Sequence, residues 1–227
     1  MKITYYGHSC LYVEGGGKRI IIDPFLSGNP ASGVNPQEIK ADAVVLTHAH
    51  GDHFGDCLEI AKRNGCPIVA INELALYCQS KGASVQPMNT GGACRFDGFT
   101  VKFTQAFHSS SVEENGRFLY MGQPAGVLLT AEGKTIFHAG DTALFGDLKM
   151  IGELNRIELA ALPIGDNYTM GPEDAALAAR WLNVKRVIPI HYNTFPPIRQ
   201  DPEQFAALLK PHGIECHILQ SGQSVDV

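Results

Sequence analysis

The chain has 227 residues, 44% of them hydrophobic and 18% charged, an ordinary globular balance that suits one large domain or two fused halves with a sizeable core. Its formal charge of -5 argues against a general nucleic-acid surface, which needs clustered Lys and Arg to displace counterions from phosphates. The six cysteines (Cys10, Cys57, Cys66, Cys78, Cys94, Cys216) lie scattered with no Cys-x-x-Cys pair, and in a reducing compartment they read as small apolar core residues rather than a disulfide framework.

Met1-Lys2-Ile3-Thr4-Tyr5-Tyr6 shows no long apolar run and no small-residue cleavage site, so neither a leader nor a membrane span is expected and the location is read as cytoplasmic. Residues 1–23 read as a hairpin: residues 4–13, a turn at Glu14-Gly15-Gly16-Gly17, then residues 18–23. The continuous Ile20-Ile21-Ile22 implies burial on both faces. Asp23-Pro24 closes that strand, and residues 25–35 form a loop rich in Gly, Pro, Ser and Asn, long enough to border a site. The apolar run Ala43-Val44-Val45-Leu46 then enters Thr47-His48-Ala49-His50-Gly51-Asp52-His53. Residues 56–64 have helical spacing with Gly65 as stop, residues 66–70 are a short strand, and Asn72-Glu73-Leu74 starts a helix that Lys81-Gly82 ends. Phe99, Val101 and Phe103 alternate with Thr100, Lys102 and Thr104 as a half-buried strand that delivers Phe107-His108-Ser109-Ser110-Ser111.

The second half repeats the architecture without repeating the sequence. Residues 125–130 and 134–137 form a hairpin through Glu132-Gly133 and lead into His138-Ala139-Gly140-Asp141. Leu148, Ile151 and Leu154 lie at helical spacing, and residues 159–164 are a buried strand. Gly171-Pro172-Glu173-Asp174 opens a helix, with Pro in the first turn and acids near its positive end, that residues 175–182 complete with Trp181 in the core. Residues 186–190 are a strand that places His191 at its end, residues 193–200 a Pro-rich loop, residues 202–209 a helix and residues 215–219 the last strand. Strands with helices on their outer faces, in two successive halves, suggest two sheets packed face to face between helical layers.

Three imidazoles and a carboxylate within the six residues 48–53 are hard to explain as packing, because each buried group needs its own hydrogen-bonding partner. A divalent metal satisfies them together, His and Asp being nitrogen and oxygen donors for zinc and its neighbours. In an extended segment His48 and His50 point to one side, so one ion can take both. A turn into a helix at Gly51 swings Asp52 and His53 toward a second position, which suits a pair of metals.

With Asp23, His108, Asp141 and His191, this segment resembles the His-x-His-x-Asp-His signature of the metallo-beta-lactamase superfamily, over almost the whole chain. Gly7-His8-Ser9, Ile22-Asp23-Pro24-Phe25, His138-Ala139-Gly140-Asp141-Thr142, Leu162-Pro163-Ile164-Gly165-Asp166-Asn167 and His191-Tyr192-Asn193-Thr194-Phe195-Pro196 look like one branch of it. That branch comprises uncharacterised metal-dependent hydrolases related to ascorbate-6-phosphate lactonase and, more distantly, to N-acyl-phosphatidylethanolamine phospholipase D. The resemblance implies an α/β fold, a four-layer αββα sandwich, as a single domain over residues 1–227 with pseudo-symmetric halves of roughly 1–115 and 116–227. It implies His48, His50 and His108 on a first metal, Asp52, His53 and His191 on a second, and Asp141 bridging them. Asp23 is expected to buttress the histidine loop without touching metal, and His8 to lie near the site. His138 is expected to face the substrate pocket or support the ligands, where it could protonate a leaving group. Asp52 would both bind metal and orient the attacking hydroxide. His212 and His217 read as surface or packing residues.

The activity implied is hydrolysis of a small ester, lactone or phosphoester, with two divalent ions, zinc first and manganese, iron, cobalt or nickel as alternatives. A metal-dependent phosphodiesterase or nuclease, a flavodiiron-like oxidoreductase and a non-catalytic metal-binding protein are the competing classes. The loop retains His50 and His53, where the flavodiiron kind usually replaces one imidazole by glutamate. The missing helical domain disfavours a glyoxalase II, and the missing leader a secreted beta-lactamase. No Gly-x-Ser-x-Gly elbow or Walker loop occurs. A small-molecule substrate, no membrane, no nucleic acid and self-association are the expected partners.

Overall fold

Ile20, Ile21 and Ile22 are all fully buried because their strand has a packed layer on each face: Ile20 and Ile22 point into the core between two sheets, and Ile21 into the core under the helices. The computed structural model describes all residues, 1–227, and contains two seven-stranded mixed sheets. The first runs Ser224–Asp226, Lys2–Tyr5, Leu11–Gly15, Lys18–Ile22, Ala43–Val45, Ile68–Ile71, Val85–Met88. It is antiparallel as far as Lys18–Ile22 and parallel beyond. The second runs Glu215–Cys216, Arg186–Ile190, Ile157–Pro163, Lys134–His138, Ala125–Ala131, Phe99–Gln105, Ala93–Arg95, parallel over its first four strands and antiparallel over the rest. Each sheet thus contains a hairpin followed by three parallel strands.

Side-chain alternation explains the layers. Phe103, Val127, Leu129 and Leu159 meet Ile3, Val13 and Val45 between the sheets. Leu46, Ile60, Ile68 and Leu74 close the first sheet against the helices Cys57–Asn64 and Asn72–Ser80. Phe137, Leu148, Leu162 and Phe205 close the second against Asp147–Leu154, Pro172–Trp181 and Pro202–Leu209. The result is the αββα sandwich that the alternating apolar strands require.

Four expectations change. Residues 4–13 are two strands, because Gly7 (φ +92°) and His8 (φ +56°) turn the chain through a tight loop closed by Cys10 N–H donating to Gly7 O at 3.0 Å. A Cβ on Gly7 would lie 2.8 Å from Ala31 O, so both the conformation and the approach demand glycine. The expected strand at residues 215–219 is only Glu215–Cys216; the last strand, Ser224–Asp226, returns to the first sheet beside Lys2–Tyr5. Conversely, Ala93–Arg95 and Phe99–Gln105 cross into the second sheet, so sheets and sequence halves do not coincide. Leu154, at the end of its helix, is 74% exposed rather than packed. A separate hairpin of Ser111–Glu114 and Arg117–Tyr120 had no counterpart in the expected elements.

Candidate metal centre

Parallel strands deliver their carboxyl ends to one edge of the sandwich, and the clustered side chains follow those ends. Lys18–Ile22 ends at Asp23, Ala43–Val45 leads to the 47–53 loop, Lys134–His138 to Asp141 and Arg186–Ile190 to His191. Phe99–Gln105 brings His108 to the same edge. The two sheets are stitched together there: Ala125 N–H donates to Thr47 O at 2.9 Å, and His191 N–H to His8 O at 2.8 Å. A Cβ on Gly140 would meet Thr47 Cβ at 2.8 Å. His8, Asp23 and His191 all hold positive φ, a costly conformation for a side-chain-bearing residue.

The ring orientations follow from a chain of hydrogen bonds. Thr47 Oγ1 donates to Asp23 Oδ2 (2.6 Å), so His48 Nδ1–H donates to Thr47 Oγ1 (3.0 Å) and the His48 Nε2 lone pair faces the cleft. Asp23 Oδ2 also accepts from His53 Nδ1 (2.8 Å), which turns the His53 Nε2 lone pair toward Asp141 Oδ1 at 3.3 Å. Thr47 N–H donates to Asp23 Oδ1 (2.9 Å). Asp23 is fully buried and thus holds the loop from behind.

Three groups of donor atoms form within 4.8 Å of one another: His48, His50 and His108; His8, Asp52, His53 and His191; and His48, His53 and Asp141. His48 Nε2 and His50 Nδ1 are 3.0 Å apart, close to the roughly 3.3 Å between two ligands of one tetrahedral zinc. Asp141 Oδ2 lies 3.0 Å from His191 Nε2 and 3.5 Å from His108 Nε2, between the first two of these groups. His8, expected only near the site, brings Nε2 to 3.2 Å from Asp52 Oδ2, while its Nδ1 is held by Thr194 Oγ1 at 2.8 Å.

These donors fit divalent cations. His8 Nε2, His53 Nε2 and Asp141 Oδ1 are buried with no hydrogen-bond partner, a costly arrangement that cations held by these donor groups would relieve. The electrostatics agree. Burial disfavours protonated His53 and His191, yet Asp141 and its neighbours overcome it, holding His53 above its usual range and His191 up to about 9. Burial likewise opposes ionised Asp52 and Asp141, but the surrounding imidazoles hold both below the usual carboxylate range. Positive charge is in demand at the centre of the cluster. Burial pushes His48, His50 and His108 down, and His8 to about 4, toward the neutral form that ligates metal.

His138 is placed differently from its expected catalytic position. It is 0% exposed, its Nε2–H donates to Ser9 O (2.8 Å), and its Nδ1 accepts from Gly140 N–H (3.0 Å). Both nitrogens are committed to backbone, leaving none for a substrate. His138→Ala should therefore destabilise the fold by about 1–3 kcal/mol for each polar group left unpaired, with no dependence of any rate loss on leaving group. Thermal melts and an activated-ester series check this; full stability with a defect that shrinks for activated esters would restore the general-acid role.

The cleft over these donors has a volume of about 350 Å³ and is lined by His50, Asp52, His108, Ser109, Asp141, Tyr168 and His191. Tyr168 escaped the sequence reading. It follows Asp166 and Asn167, two successive positive-φ residues, and that Gly-Asp-Asn turn at a strand end was the available signal. The three serines divide: Ser109 Oγ lies 3.3 Å from His50 Nε2, Ser110 Oγ accepts from Ala49 N–H, and Ser111 begins the separate hairpin. Neither His212 nor His217 belongs to the cluster.

A sandwich of two mixed sheets with His/Asp donors gathered along one strand-end edge defines a metallo-beta-lactamase-fold protein. A family model, the beta-lactamase superfamily domain, matches residues 2–191. A UPF0173 metal-dependent hydrolase of Geobacillus thermodenitrificans is 58% identical, and another of Bacillus subtilis, YtkL, 56% identical, each covering 100% of both chains. The solved structure of Igni18, a metallo hydrolase of the archaeon Ignicoccus hospitalis, superposes with a TM-score of 0.90 at 39% identity, over 99% of this chain and 97% of that one. The chain belongs to the beta-lactamase superfamily, among its metal-dependent hydrolases.

Proposed function

We propose that this chain hydrolyses a small ester, lactone or phosphoester at a centre holding two divalent cations, with zinc the first candidate. The observation that supports it is the pair of donor groups on either side of Asp141, with buried lone pairs that nothing in the protein satisfies. His48, His50 and His108 would hold one cation; Asp52, His53 and His191 the other, with His8 beside them; Asp141 would serve both. When bound, such cations acidify water toward neutrality and polarise the carbonyl or phosphoryl group under attack.

The chain's own residues supply the rest. Asp52, whose side chain is 28% exposed, faces the cleft and can accept a hydrogen bond from the attacking water, orienting it. Ser109 and Tyr168 line the cleft, where their hydroxyl groups would serve as donors to substrate, and Tyr168 is the candidate for the leaving-group role that buried His138 cannot fill. No Lys or Arg lines the cleft, which leaves a nucleic-acid backbone without side-chain cations and favours a small molecule. No helix is long and apolar enough to cross a membrane.

The test is metal analysis of protein reconstituted with zinc, manganese, iron, cobalt or nickel, followed by a panel of lactones, phosphomonoesters, phosphodiesters and short RNA. Two ions per chain and turnover that rises with metal content are expected. Saturation at one ion removes the two-cation arrangement, and filled sites without turnover favour a non-catalytic metal-binding protein.

A further inference from the structure

Beside the metal cleft lies a second cavity, of about 410 Å³, whose lining includes Ala49, Phe54, Tyr77, Val112 and Phe118 together with His50 and Gly51. His50 lines both spaces, so they adjoin across one imidazole. Their chemistry differs sharply. The metal cleft is made of imidazoles, carboxylates and hydroxyls, whereas the second cavity has Glu113 as its one charged wall residue.

Three segments build that cavity. The turn Gly51–Phe54 supplies its floor, and Gly51 has open space where a Cβ would project. The helix Asn72–Ser80 supplies Tyr77, and the hairpin Ser111–Glu114/Arg117–Tyr120 supplies Val112 and Phe118. Lys81 ion-pairs with Glu114 and sits 5.0 Å over the Tyr77 ring, tying the hairpin to the helix so that opposite walls keep their spacing. Phe118 is 77% exposed. An aromatic ring left so open at the rim of a cavity still has most of its apolar surface to bury, and a ligand would cover it.

We infer that this cavity receives an uncharged apolar group of the substrate, an aromatic ring or branched alkyl chain, while the hydrolysable bond sits in the metal cleft. The inference rests on the proposed function and narrows its substrate class to amphiphilic molecules: a polar, cleavable head and an apolar tail. The volume lies within the range of small-ligand pockets and exceeds the roughly 150 Å³ that takes up benzene. Glu113 excludes an anionic tail by repulsion and by the cost of desolvating its charge. Polar sugar phosphates, which would leave the apolar walls uncovered, fit less well.

Phenylacetate and acetate are the probes, since they share a carboxylate that can lie in the metal cleft and differ by the ring. Isothermal titration of the metal-loaded protein should show phenylacetate binding about 10- to 100-fold tighter than acetate, the gain from burying one aromatic ring. Phe118→Ala should cut that ratio by about 3- to 10-fold, and Ser111→Trp, which fills the cavity from its edge, should bring it close to one; acetate binding should hold in both. Because Phe118 is so exposed, its loss does not threaten the fold. Equal affinities in the unaltered protein, no binding of phenylacetate, or a ratio unchanged in both variants overturns the pocket. A phenylacetate preference in a protein that hydrolyses nothing in the ester panel keeps the pocket and removes the hydrolytic reading; turnover without the preference does the reverse.

Discussion

Asp141→Asn is expected to abolish binding of the metal pair and hydrolysis together, with turnover falling by more than the roughly 100-fold that loss of an outer hydrogen-bond partner can cost. Only a carboxylate offers two oxygens for two cations together with a negative charge that offsets their repulsion. Asp141 Oδ2 lies 3.5 Å from His108 Nε2 in one donor group and 3.0 Å from His191 Nε2 in the other, and Oδ1 lies 3.3 Å from His53 Nε2. An asparagine keeps the shape, loses the charge and turns an N–H₂ toward lone pairs that need a cation. Elemental analysis of the reconstituted variant and its rate on whichever substrate the panel identifies check this. Two ions retained with near-normal turnover would remove Asp141 from the bridging position.

Asp23→Asn should weaken metal affinity by about 10- to 100-fold without removing a ligand. Asp23 accepts three hydrogen bonds, from Thr47 N–H, Thr47 Oγ1–H and His53 Nδ1–H, so only an acceptor on both oxygens satisfies the site. An amide places a donor against one of those donors. Either His53 changes tautomer and loses the Nε2 lone pair that faces Asp141, or a buried N–H is left unpaired at about 1–3 kcal/mol. Competition with a chelator and a thermal melt of the metal-free protein separate the two costs. Unchanged affinity and unchanged stability would show that the carboxylate positions nothing.

The cluster at residues 48–53 was visible in sequence because ligand spacing is local: extended backbone puts His48 and His50 on one side, and the turn at Gly51 redirects Asp52 and His53. That His108, Asp141 and His191 gather around this cluster was legible from strand-end positions and the family resemblance, both of which survive without coordinates. His138 misled for the same reason. It sits at the end of a strand three residues before Asp141, but the direction of a strand-end ring depends on what lies across the sheet interface, here Ser9 O. His8 was under-read because residues 4–13 pass for one strand until the Gly7-His8 turn is seen, and Tyr168 because its turn matters only where two sheets meet.

By itself the sequence determined the layers and the chemistry of this protein: apolar alternation with periods of two and of helical spacing specifies which faces must be buried, and a dense run of imidazole and carboxylate specifies metal. The tertiary structure decided what depends on long-range closure. Ser224–Asp226 joins Lys2–Tyr5 at the far end of the chain, Phe99–Gln105 leaves its own half to complete the second sheet, and the exposed hairpin carrying Phe118 closes a cavity beside His50. Such pairings rest on backbone hydrogen bonds and burial shared between segments distant in sequence, and no local pattern encodes which edge strand or which wall will be the partner.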